Sequence, residues 1–541
     1  MSSSSRPADD PGVAAAAPVL VAAAAPVSSY DAVPYSVSAF PQTRPDRLAT
    51  LATLFGMSPA PPARCRVLEL GCASGGNLIP MALGDPESRF VGIDLSPRQI
   101  ADGRATAAEL GIQNLDLRAL SILDFPADLG TFDYILCHGV YSWVPPEVQG
   151  KILDICSSHL APQGVAYVSY NCLPGWHARG AIREMLWYHT SRFQEPEVRV
   201  RAARGLLAFL AKFAPDDGGY GKLIRQELAL LLMTPDTYLL HEHLEEFNEP
   251  LYFHEFIDRA ARKGLQYLAE AHIAAMAAGK FGEEGEKILR QISPDLLHME
   301  QYMDFLRNRM FRQTLLCHAE VKLDHALRAE VVRNFLVSTT AKAQAPVSGA
   351  SPDGREEFGG AGKPILATSD PLMKAAMHCL AEASPAPLPF EELLATARAR
   401  AGSGEVESEA ANRLAARLLN CYLAGVLDFS VSEPTCTGEV SERPVASPYA
   451  RLRARDGGKV VNLRLETVAL STPSRLVLQH LDGQLDRAAL VEMVANWLRS
   501  GAVAGDGVTN LPGPDQPLEA RAAAYVDTLL RSFARGALLI A

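Results

Sequence analysis

Small residues between two apolar stretches mark the segment whose residue types point most directly to chemistry. The run Val67-Leu68-Glu69-Leu70 leads into Gly71-Cys72-Ala73-Ser74-Gly75-Gly76-Asn77, and an apolar stretch follows. If a buried strand ends here and a helix begins, a ligand can lie against the loop backbone while the helix N-terminus offers free N–H donors. Any nucleotide-like cofactor suits this geometry, so the loop by itself predicts only a class of ligand.

Two carboxylates narrow the choice of ligand. Glu69 lies at the end of the predicted strand, where a negative charge does nothing for a pyrophosphate but attracts a sulfonium or an ammonium group. Asp94 closes the next predicted strand, 18 positions after Gly76, a spacing typical of a carboxylate that accepts both ribose hydroxyls. S-adenosylmethionine meets both requirements. A nicotinamide dinucleotide, the alternative ligand, meets only the second and would lack an intact Gly-x-Gly-x-x-Gly phosphate loop.

Aromatic side chains crowd the segments that follow the fourth and fifth predicted strands. These segments read HGVYSW from His138 and YNCLPGWH from Tyr170. Open parallel sheets bind ligands at the carboxyl ends of their strands, so both segments are expected to reach the active-site crevice. The crevice would then hold a narrow aromatic channel that packs an alkylamine by cation–π contact. Its expected walls are Tyr141, Trp143, Tyr170 and Trp176.

The same two segments supply the candidate catalytic residues. An alkylamine acceptor must lose its proton before it attacks the methyl group of S-adenosylmethionine, because an ammonium has no lone pair and the pKa of a free alkylammonium is about 10.4. A desolvated aromatic channel lowers that pKa by disfavouring charge. We expect the proton path to involve His138, Tyr141 or His177. The alternative for His138 is that its ring turns into the fold and only its backbone contacts the cofactor.

Alternating short β-rich runs and amphipathic helices supply the elements that position these residues. Strands are predicted at residues 67–70, 90–93, 115–117, 134–137 and 165–170. Strands separated by helices indicate βαβ units and a parallel sheet. Ser96, Pro97 and Gln99 predict a capping box at the start of a helix that Gly111 ends. Helical periodicity dominates from residue 181 to about 340, and a hairpin is predicted near 449–468.

Composition limits the classes of protein that remain. A chain of 541 residues is longer than one hydrophobic core usually organises, so several domains are expected. Its 48% hydrophobic and 21% charged residues are typical of a globular protein. The net charge of −11 argues against a nucleic-acid partner. Nine cysteines without framework spacing indicate reduced thiols, and no run of about 18 apolar residues predicts a membrane span. These features favour a cytoplasmic enzyme without a membrane partner.

Several segments together resemble one bacterial family. They are YDAVPY (30–35), FPQTRPDR (40–47), HGVYSW (138–143), LPGWH (173–177), YFHEF (252–256) and PVASP (444–448). With the glycine loop, they resemble the class I S-adenosylmethionine-dependent methyltransferases that carry a methyltransferase regulatory domain. The best-known members are rickettsial protein-lysine methyltransferases that act on outer-membrane proteins. The resemblance therefore implies a lysine-bearing protein partner, such as a surface or outer-membrane protein.

The resemblance also implies which residues bind the cofactor. Gly71, Gly75 and Gly76 would line its methionine part, and Asp94 would hold the ribose. Ser121, Ile122 and Asp124 would surround the adenine. The remaining expected contacts are Tyr35, Glu69, Asn77 and His138. Ala73 stands where glycine is common in the family's loop.

The expected fold class is α/β. It consists of a Rossmann-like methyltransferase domain, a helical regulatory domain and a mixed, winged-helix-like C-terminal domain. The expected boundaries are a disordered leader at 1–28, the methyltransferase domain at 29–205, the helical domain at 206–340, a flexible linker at 341–363 and the C-terminal domain at 364–541. The expected function is methyl transfer to a protein lysine. The alternatives are a small-metabolite methyltransferase, a non-catalytic binding module, or a Rossmann-like domain with a different pocket.

A metal site is not expected. His241 and His243 lie two positions apart among acidic residues. On a helix this spacing directs the two side chains to different faces. They are therefore interpreted as packed or surface histidines.

Overall fold

Seven strands form one mixed sheet in the first half of the protein. The computed structural model describes residues 38–215, 218–344, 354–360, 365–402, 406–433, 436–500 and 516–540. The strands are β1 (Arg66–Leu70), β2 (Arg89–Asp94), β3 (Leu115–Ala119), β4 (Phe132–Cys137), β5 (Leu160–Asn171), β6 (Leu265–Glu270) and β7 (Phe311–His318). They lie in the order β3-β2-β1-β4-β5-β7-β6. Neighbours among β1 to β5 pair in parallel, which confirms the predicted sheet, and β7 is antiparallel to both β5 and β6.

The sheet separates two apolar cores. Successive residues of a strand point to opposite faces, so Val67 packs into one core and Leu68 into the other. Helices flank the strands: α1 (Pro45–Leu54), α2 (Leu78–Gly84), α3 (Pro97–Glu109) and α4 (Pro146–His159). Both faces of β1 are covered, which explains why its sequence is apolar except for Glu69 and the first arginine.

Helix α3 begins as predicted, with one difference. The backbone N–H of Gln99 donates to the Ser96 hydroxyl at 3.2 Å, and Gly111 adopts a φ of +69° just beyond the helix end. The N–H of Ser96, which a capping box would direct to Gln99, donates to Asp94 Oδ1 at 2.9 Å. The start of this helix is therefore tied to the acid that closes β2.

The segment after β5 first forms four helices and then contributes two more strands to the sheet. Helices α5 (Gly175–Thr190), α6 (Pro196–Phe213), α7 (Gly219–Leu232) and α8 (Asp236–His243) share a separate apolar core. Helices α9 (Phe253–Ala261), α10 (Gly282–Ile292) and α11 (Leu296–Arg307) then alternate with β6 and β7. The segment 206–340, expected as a helical domain, is mostly helical and also contributes β6 and β7. The two strands complete the sheet, because β7 pairs with β5 and β6 pairs with β7.

The next segment packs onto the same core as the sheet. Its helices are α12 (Pro371–Ala383), α13 (Phe390–Ala401) and α14 (Glu407–Ala424), and its strands are β8 (Leu336–Ser338), β9 (Lys342–Ala343), β10 (Glu356–Gly359), β11 (Leu366–Thr368), β12 (Leu388–Pro389) and β13 (Asp428–Ser430). Leu380 and Leu418 belong to one apolar cluster with Val67. The described part of the predicted linker contains β9 and β10, which pair with each other. The predicted leader and Tyr35 lie outside the described residues.

The last segment has its own core. It comprises α15 (Pro448–Asp456), β14 (Lys459–Val461), β15 (Thr467–Ala469), α16 (Thr472–Gln479), α17 (Arg487–Ser500) and α18 (Leu518–Arg535). The hairpin is β14–β15, whereas Tyr449 lies in α15, because Ser447 caps that helix and Pro448 opens it. All nine cysteines are free thiols. Among the helices in the described ranges, none is both long and apolar enough to span a bilayer.

Candidate active site

The candidate site lies along the edge of the sheet where β1, β2, β4 and β5 end. Gly71 follows β1, Asp94 ends β2 and His138 follows β4. Strand β7 runs in the opposite direction, so its first residue, Phe311, pairs with Asn171 at the end of β5. This edge therefore carries residues from both the predicted methyltransferase segment and the predicted regulatory segment.

The glycine loop has the tight backbone that the sequence predicts. Gly71 and Gly75 adopt φ values of +77° and +71°, and Ala73 has a φ of +49°. Left-handed values are uncommon outside glycine, so Ala73 occupies a glycine-like position at some conformational cost. A Cβ atom on Gly71 would lie 2.4 Å from Val140 Cγ2. Gly71 is thus required both for its φ and for the close approach of the loop after β4.

Asp94 holds the loop in place. Its Oδ2 accepts from the N–H of Ala73 at 2.8 Å, and its Oδ1 accepts from the N–H of Ser96 at 2.9 Å. A carboxylate offers about four lone-pair sites, so these two bonds are compatible with the expected contact to ribose hydroxyls. Asp94 therefore shapes the loop as well as facing the ligand edge.

Glu69 carries an unsatisfied carboxylate oxygen beside the loop. Its Oε1 accepts from Asn77 Nδ2 at 2.9 Å, but within the described residues its buried Oε2 has no hydrogen-bond partner. Burial raises the pKa of Glu69 to about 7, although the bond from Asn77 opposes that shift. Asn77 is fixed in turn by Thr43, whose Oγ1 accepts from its Nδ2 at 3.0 Å, and by the N–H of Phe40, which donates to its Oδ1 at 3.0 Å.

These groups fit S-adenosylmethionine. The ammonium group of its methionine part would donate to Oε2 of Glu69 and favour the ionised carboxylate. The glycine-like loop lets the ligand lie against the backbone, and Gly76 and Asn77 lie buried at its end. Thr43 and Phe40 were not singled out by the sequence reasoning. Their role depends on contacts across more than 30 positions, and they appeared only within the segment FPQTRPDR.

The expected adenine contacts follow β3. Ser121 Oγ accepts from the N–H of Leu123 at 3.2 Å and caps a 3-10 helix at Ile122–Asp124. Ser121 and Ile122 are half-buried, whereas Asp124 is exposed. Strand β3 pairs with β2 through Asp94 and Ala119, so this turn is adjacent to the ribose end of the expected pocket.

His138 turns its ring towards the interior. Its Nδ1 lies 2.8 Å from the hydroxyl of Tyr167, a fully buried residue of β5. The imidazole ring lies 3.8 Å from the ring of Phe40 and 6.1 Å from that of Phe311, measured between centroids. Burial lowers the pKa of His138 to about 4, so the ring is neutral at physiological pH.

The two tryptophans lie against each other after β4 and β5. Their ring centroids are 6.0 Å apart in an edge-to-face arrangement. The guanidinium of Arg179 lies 5.6 Å above Trp176, and its Nε is 3.3 Å from Glu227 Oε1. Trp143 is half-buried and Trp176 is 2% exposed. His177 is exposed, and its Nε2 lies 3.2 Å from the hydroxyl of Tyr252.

Two of the four expected channel residues pack in the core instead. Tyr141 and Tyr170 are at most 1% exposed, and Phe256 of α9 stacks on Tyr170 at 4.2 Å and meets Tyr141 at 5.3 Å. The reason is strand alternation: Tyr170 points to the face that α9 covers. Burial also raises the pKa of Tyr141 to about 12. Trp143 therefore packs against Trp176, whereas Tyr141 belongs to the apolar core.

The histidines of α8 pair with acids. His241 Nδ1 lies 2.9 Å from Glu245 Oε1, and His243 Nε2 lies 2.7 Å from Glu227 Oε1. Both rings are buried, as expected of packed residues. The Glu227 carboxylate, which lies in α7, is also 3.3 Å from Arg179 of α5. Glu227 thus connects His243 of α8 to α5 and the tryptophan pair.

Three family models match different parts of the chain. A methyltransferase domain matches residues 62–195, and the model described as "Predicted methyltransferase regulatory domain" matches residues 235–318. The model described as "PKMT, C-terminal winged helix domain" matches residues 442–538. The regulatory match includes β6 and β7 and ends with the last residue of β7. The segment so described therefore completes the sheet.

Relatives and solved structures cover nearly the whole chain. An uncharacterized protein of Rickettsia prowazekii is 34% identical over 483 residues, which is 87% of this chain and 86% of that protein. The structure of PKMT2 from Rickettsia typhi in complex with AdoHcy is 31% identical, with a TM-score of 0.84, and covers 94% of this chain and 100% of that chain. These matches agree with a pocket suited to S-adenosylmethionine. The chain belongs to the rickettsial-type PKMT family of bacterial class I S-adenosylmethionine-dependent methyltransferases with a methyltransferase regulatory domain.

Proposed function

We propose that this methyltransferase transfers the methyl group to the side-chain amine of a lysine in a protein. The observation that carries the proposal is the pair of tryptophans at the ends of β4 and β5, beside which Arg179 is neutralised by Glu227. There Trp143 and Trp176 lie 6.0 Å apart, and the pKa of His138 is lowered to about 4. The likeness to PKMT2 along almost the whole chain adds support.

An aromatic surrounding suits an amine acceptor in two ways. Tryptophan faces attract an approaching ammonium by cation–π interaction. Once the amine is desolvated, the loss of water disfavours its charge and lowers its pKa, so that the nucleophilic neutral form becomes accessible. A carboxylate at the point of attack would work against this by holding the proton.

The chain's own residues bind and align the reactants. When bound, S-adenosylmethionine supplies a methyl group on a good leaving group, so catalysis depends largely on in-line alignment. Glu69 would hold the ammonium of the methionine part, and Asp94 would hold the ribose. Trp143 and Trp176 would exclude water and direct the amine towards the methyl carbon.

His138 is a poor proton acceptor in this arrangement. A base whose pKa is about 4 cannot hold a proton taken from an ammonium whose free pKa is about 10.4. We therefore propose that His138 positions groups in the pocket through its contacts with Tyr167 and Phe40. The lysine would lose its proton to solvent as it enters the aromatic surrounding.

The test combines labelling with mass spectrometry. Purified protein, tritiated S-adenosylmethionine and native bacterial lysate are incubated together, with Asp94→Ala as the cofactor-deficient control. Label on lysine side chains of proteins supports the proposal. Label extracted with small molecules would favour a metabolite methyltransferase, and tight cofactor binding without turnover would favour a non-catalytic module.

A further inference from the structure

We propose that the regulatory segment forms part of the acceptor site. Four of its side chains, which we call the acceptor rim, would bind apolar side chains on either side of the acceptor lysine. The rim consists of Tyr252, Phe305, Met310 and Phe311. This inference rests on the proposed lysine methylation and assigns a substrate-binding role to a segment that its family description links only to regulation.

Phe311 brings the rim to the edge of the active site. It is the first residue of β7 and pairs with Asn171 at the end of β5. Its ring centroid lies 6.1 Å from that of His138, yet the residue is 38% exposed. One face of Phe311 therefore meets the interior of the site, and the rest is accessible to a ligand that approaches from outside.

Met310 is fixed beside the segment that carries Trp176 and His177. The N–H of Cys172 donates to the Met310 carbonyl at 2.8 Å, and the N–H of Gly175 donates to the Arg309 carbonyl at 3.0 Å. A Cβ atom on Gly175 would lie 2.4 Å from Met310 Cγ. This close approach holds Met310 against the start of α5 while leaving it 42% exposed.

Tyr252 extends the rim outward from His177. Its hydroxyl lies 3.2 Å from His177 Nε2, and its ring lies 6.0 Å from that of Phe305 at the end of α11. Phe305 is 47% exposed. Both halves of the rim therefore contact the segment 172–177, Met310 through Cys172 and Tyr252 through His177.

The chemistry of the rim points to apolar occupants. The two arginines beside it in sequence are both paired, and Arg309 Nε donates to the carbonyl of Phe311 at 3.0 Å. Arg309 Nη2 lies 2.6 Å from Glu270, and Arg307 donates to the carbonyls of Ala275 and Ala277. An apolar patch of this kind next to a ligand site is a typical interaction surface. We infer that it binds the substrate chain next to the lysine, while the lysine side chain extends along Trp143, the half-buried member of the tryptophan pair.

The test uses a pool of peptides with a central lysine and degenerate flanking positions. Wild-type protein and tritiated S-adenosylmethionine should label lysines flanked by Leu, Ile or Phe about tenfold better than those flanked by Ser or Asp. Phe305→Ser and Met310→Ser should reduce that ratio to about 1 and leave the affinity for S-adenosylhomocysteine unchanged. Val406→Ser, a 62% exposed position before α14, is the matched control and should keep the preference.

Every other outcome would contradict either the acceptor rim or the proposed lysine methylation. Lysine labelling without positional preference, or a preference that survives in both rim variants, would overturn the rim and leave lysine methylation standing. Labelling of lysines in lysate proteins but of no peptide in the pool would also overturn it, because flanking side chains would not be what is recognised. Loss of a dimer in the rim variants would assign the surface to a second copy. Label on residues other than lysine would contradict the proposed function itself.

Discussion

The buried carboxylate of Glu69 destabilises the folded protein without cofactor, and the same carboxylate is expected to bind the cofactor. Its Oε2 is buried without a partner among the described residues, and the ammonium of the cofactor would supply one. Glu69→Gln should therefore weaken binding of S-adenosylhomocysteine about tenfold or more at pH 8, since a charge-assisted bond contributes about 1.5–3 kcal/mol. Titration calorimetry measures this change. Binding of 5′-methylthioadenosine, which lacks the amino-acid part, should not change, and neither ligand should respond to the exposed Glu147→Gln.

The raised pKa of Glu69 gives these effects a pH dependence. The native state holds the proton up to about pH 7, whereas the ordinary carboxyl releases it near 4.5. The bound proton therefore contributes fully to the free energy of unfolding below pH 4.5, and this contribution is lost as the pH rises through 7. The free energy of unfolding falls by at most about 3 kcal/mol over this range. Without cofactor, Glu69→Gln should melt above wild type by a margin that grows from pH 5.5 to 8, while wild-type affinity for S-adenosylhomocysteine rises. A constant margin would contradict this assignment.

Asp94 should behave differently from Glu69 because it serves both the loop and the ribose. In Asp94→Asn, an amide N–H₂ would face a backbone N–H of Ala73 or Ser96, which breaks one of two short bonds. We expect affinity for S-adenosylhomocysteine and for 5′-methylthioadenosine to fall together, by about tenfold or more. Calorimetry with both ligands measures this. An effect confined to S-adenosylhomocysteine would contradict a ribose contact.

The site residues that the sequence reveals are those with local signals. Glu69, Gly71 and Asp94 stand at strand ends with characteristic spacing, and the structure places them on one edge. Thr43 and Tyr167 reach the site through contacts with Asn77 and His138 that span more than 25 positions. Such contacts depend on tertiary packing, which local patterns do not encode. For the same reason the burial of Tyr141 under α9 could not be anticipated.

At the scale of elements, helix α5 begins at Gly175, where there is no space for a side chain. Gly175→Ala would place its Cβ atom 2.5 Å from the Arg309 carbonyl and 2.4 Å from Met310 Cγ. We expect a loss of about 1–3 kcal/mol in stability and a lower kcat, because Trp176 moves with the helix. Cofactor affinity should hold. Gly180→Ala in the same helix has open space around it and should be neutral or stabilising. Thermal unfolding and turnover of both variants test this.

A buried ion cluster joins β6, β7 and α11. Arg312 is fully buried and contacts Glu270 at 2.7 Å, Glu300 at 3.0 Å and Asp304 at 2.7 Å. Its guanidinium also lies 3.8 Å above the ring of Phe253. Three carboxylates thus depend largely on this one side chain, with Arg309 as the second cation.

Removal of Arg312 should therefore be costly. Arg312→Met leaves buried carboxylates without their main partner and should cost about 3–5 kcal/mol, seen as a lower urea midpoint. The loss should shrink at pH 5.5, where the carboxyls can take up protons. The pair of Arg290 and Glu286, whose side chains are 63% and 32% exposed, is the control, and Arg290→Met should cost under about 1 kcal/mol. Equal effects of the two variants would contradict a structural role of the cluster.

This cluster also explains why strand β7 escaped the sequence analysis. An arginine at its second position argues against a buried strand unless the three acids that neutralise it are known. Those acids lie on β6 and α11. The parallel strands β1, β2, β4 and β5 were predictable because their apolar runs need no such partners.

At the scale of the whole molecule, helix α1 connects three regions. Asp46 Oδ1 accepts from the N–H of Val431 and from the N–H and hydroxyl of Ser432, which follow β13. Arg47 Nε donates to the carbonyl of Ala271 at the end of β6 at 2.8 Å. Just before α1, Thr43 contacts Asn77 and hence Glu69. The position of the C-terminal half is thereby coupled to the cofactor pocket.

This coupling predicts a distant effect on cofactor binding. Asp46→Ala removes the acceptor for three donors around Ser432, so α1 should loosen and hold Thr43 less firmly against Asn77. We expect faster hydrogen exchange in α1 and at the start of α2, which Asn77 precedes, together with a several-fold loss of affinity for S-adenosylhomocysteine. The matched control is Arg455→Ala, which removes a second link between distant segments, the pair with Glu109. That pair is 62% and 54% exposed, so its loss should be nearly neutral. If Asp46→Ala changed exchange near Ser432 but left cofactor affinity intact, the C-terminal half would be attached to the pocket without influencing it.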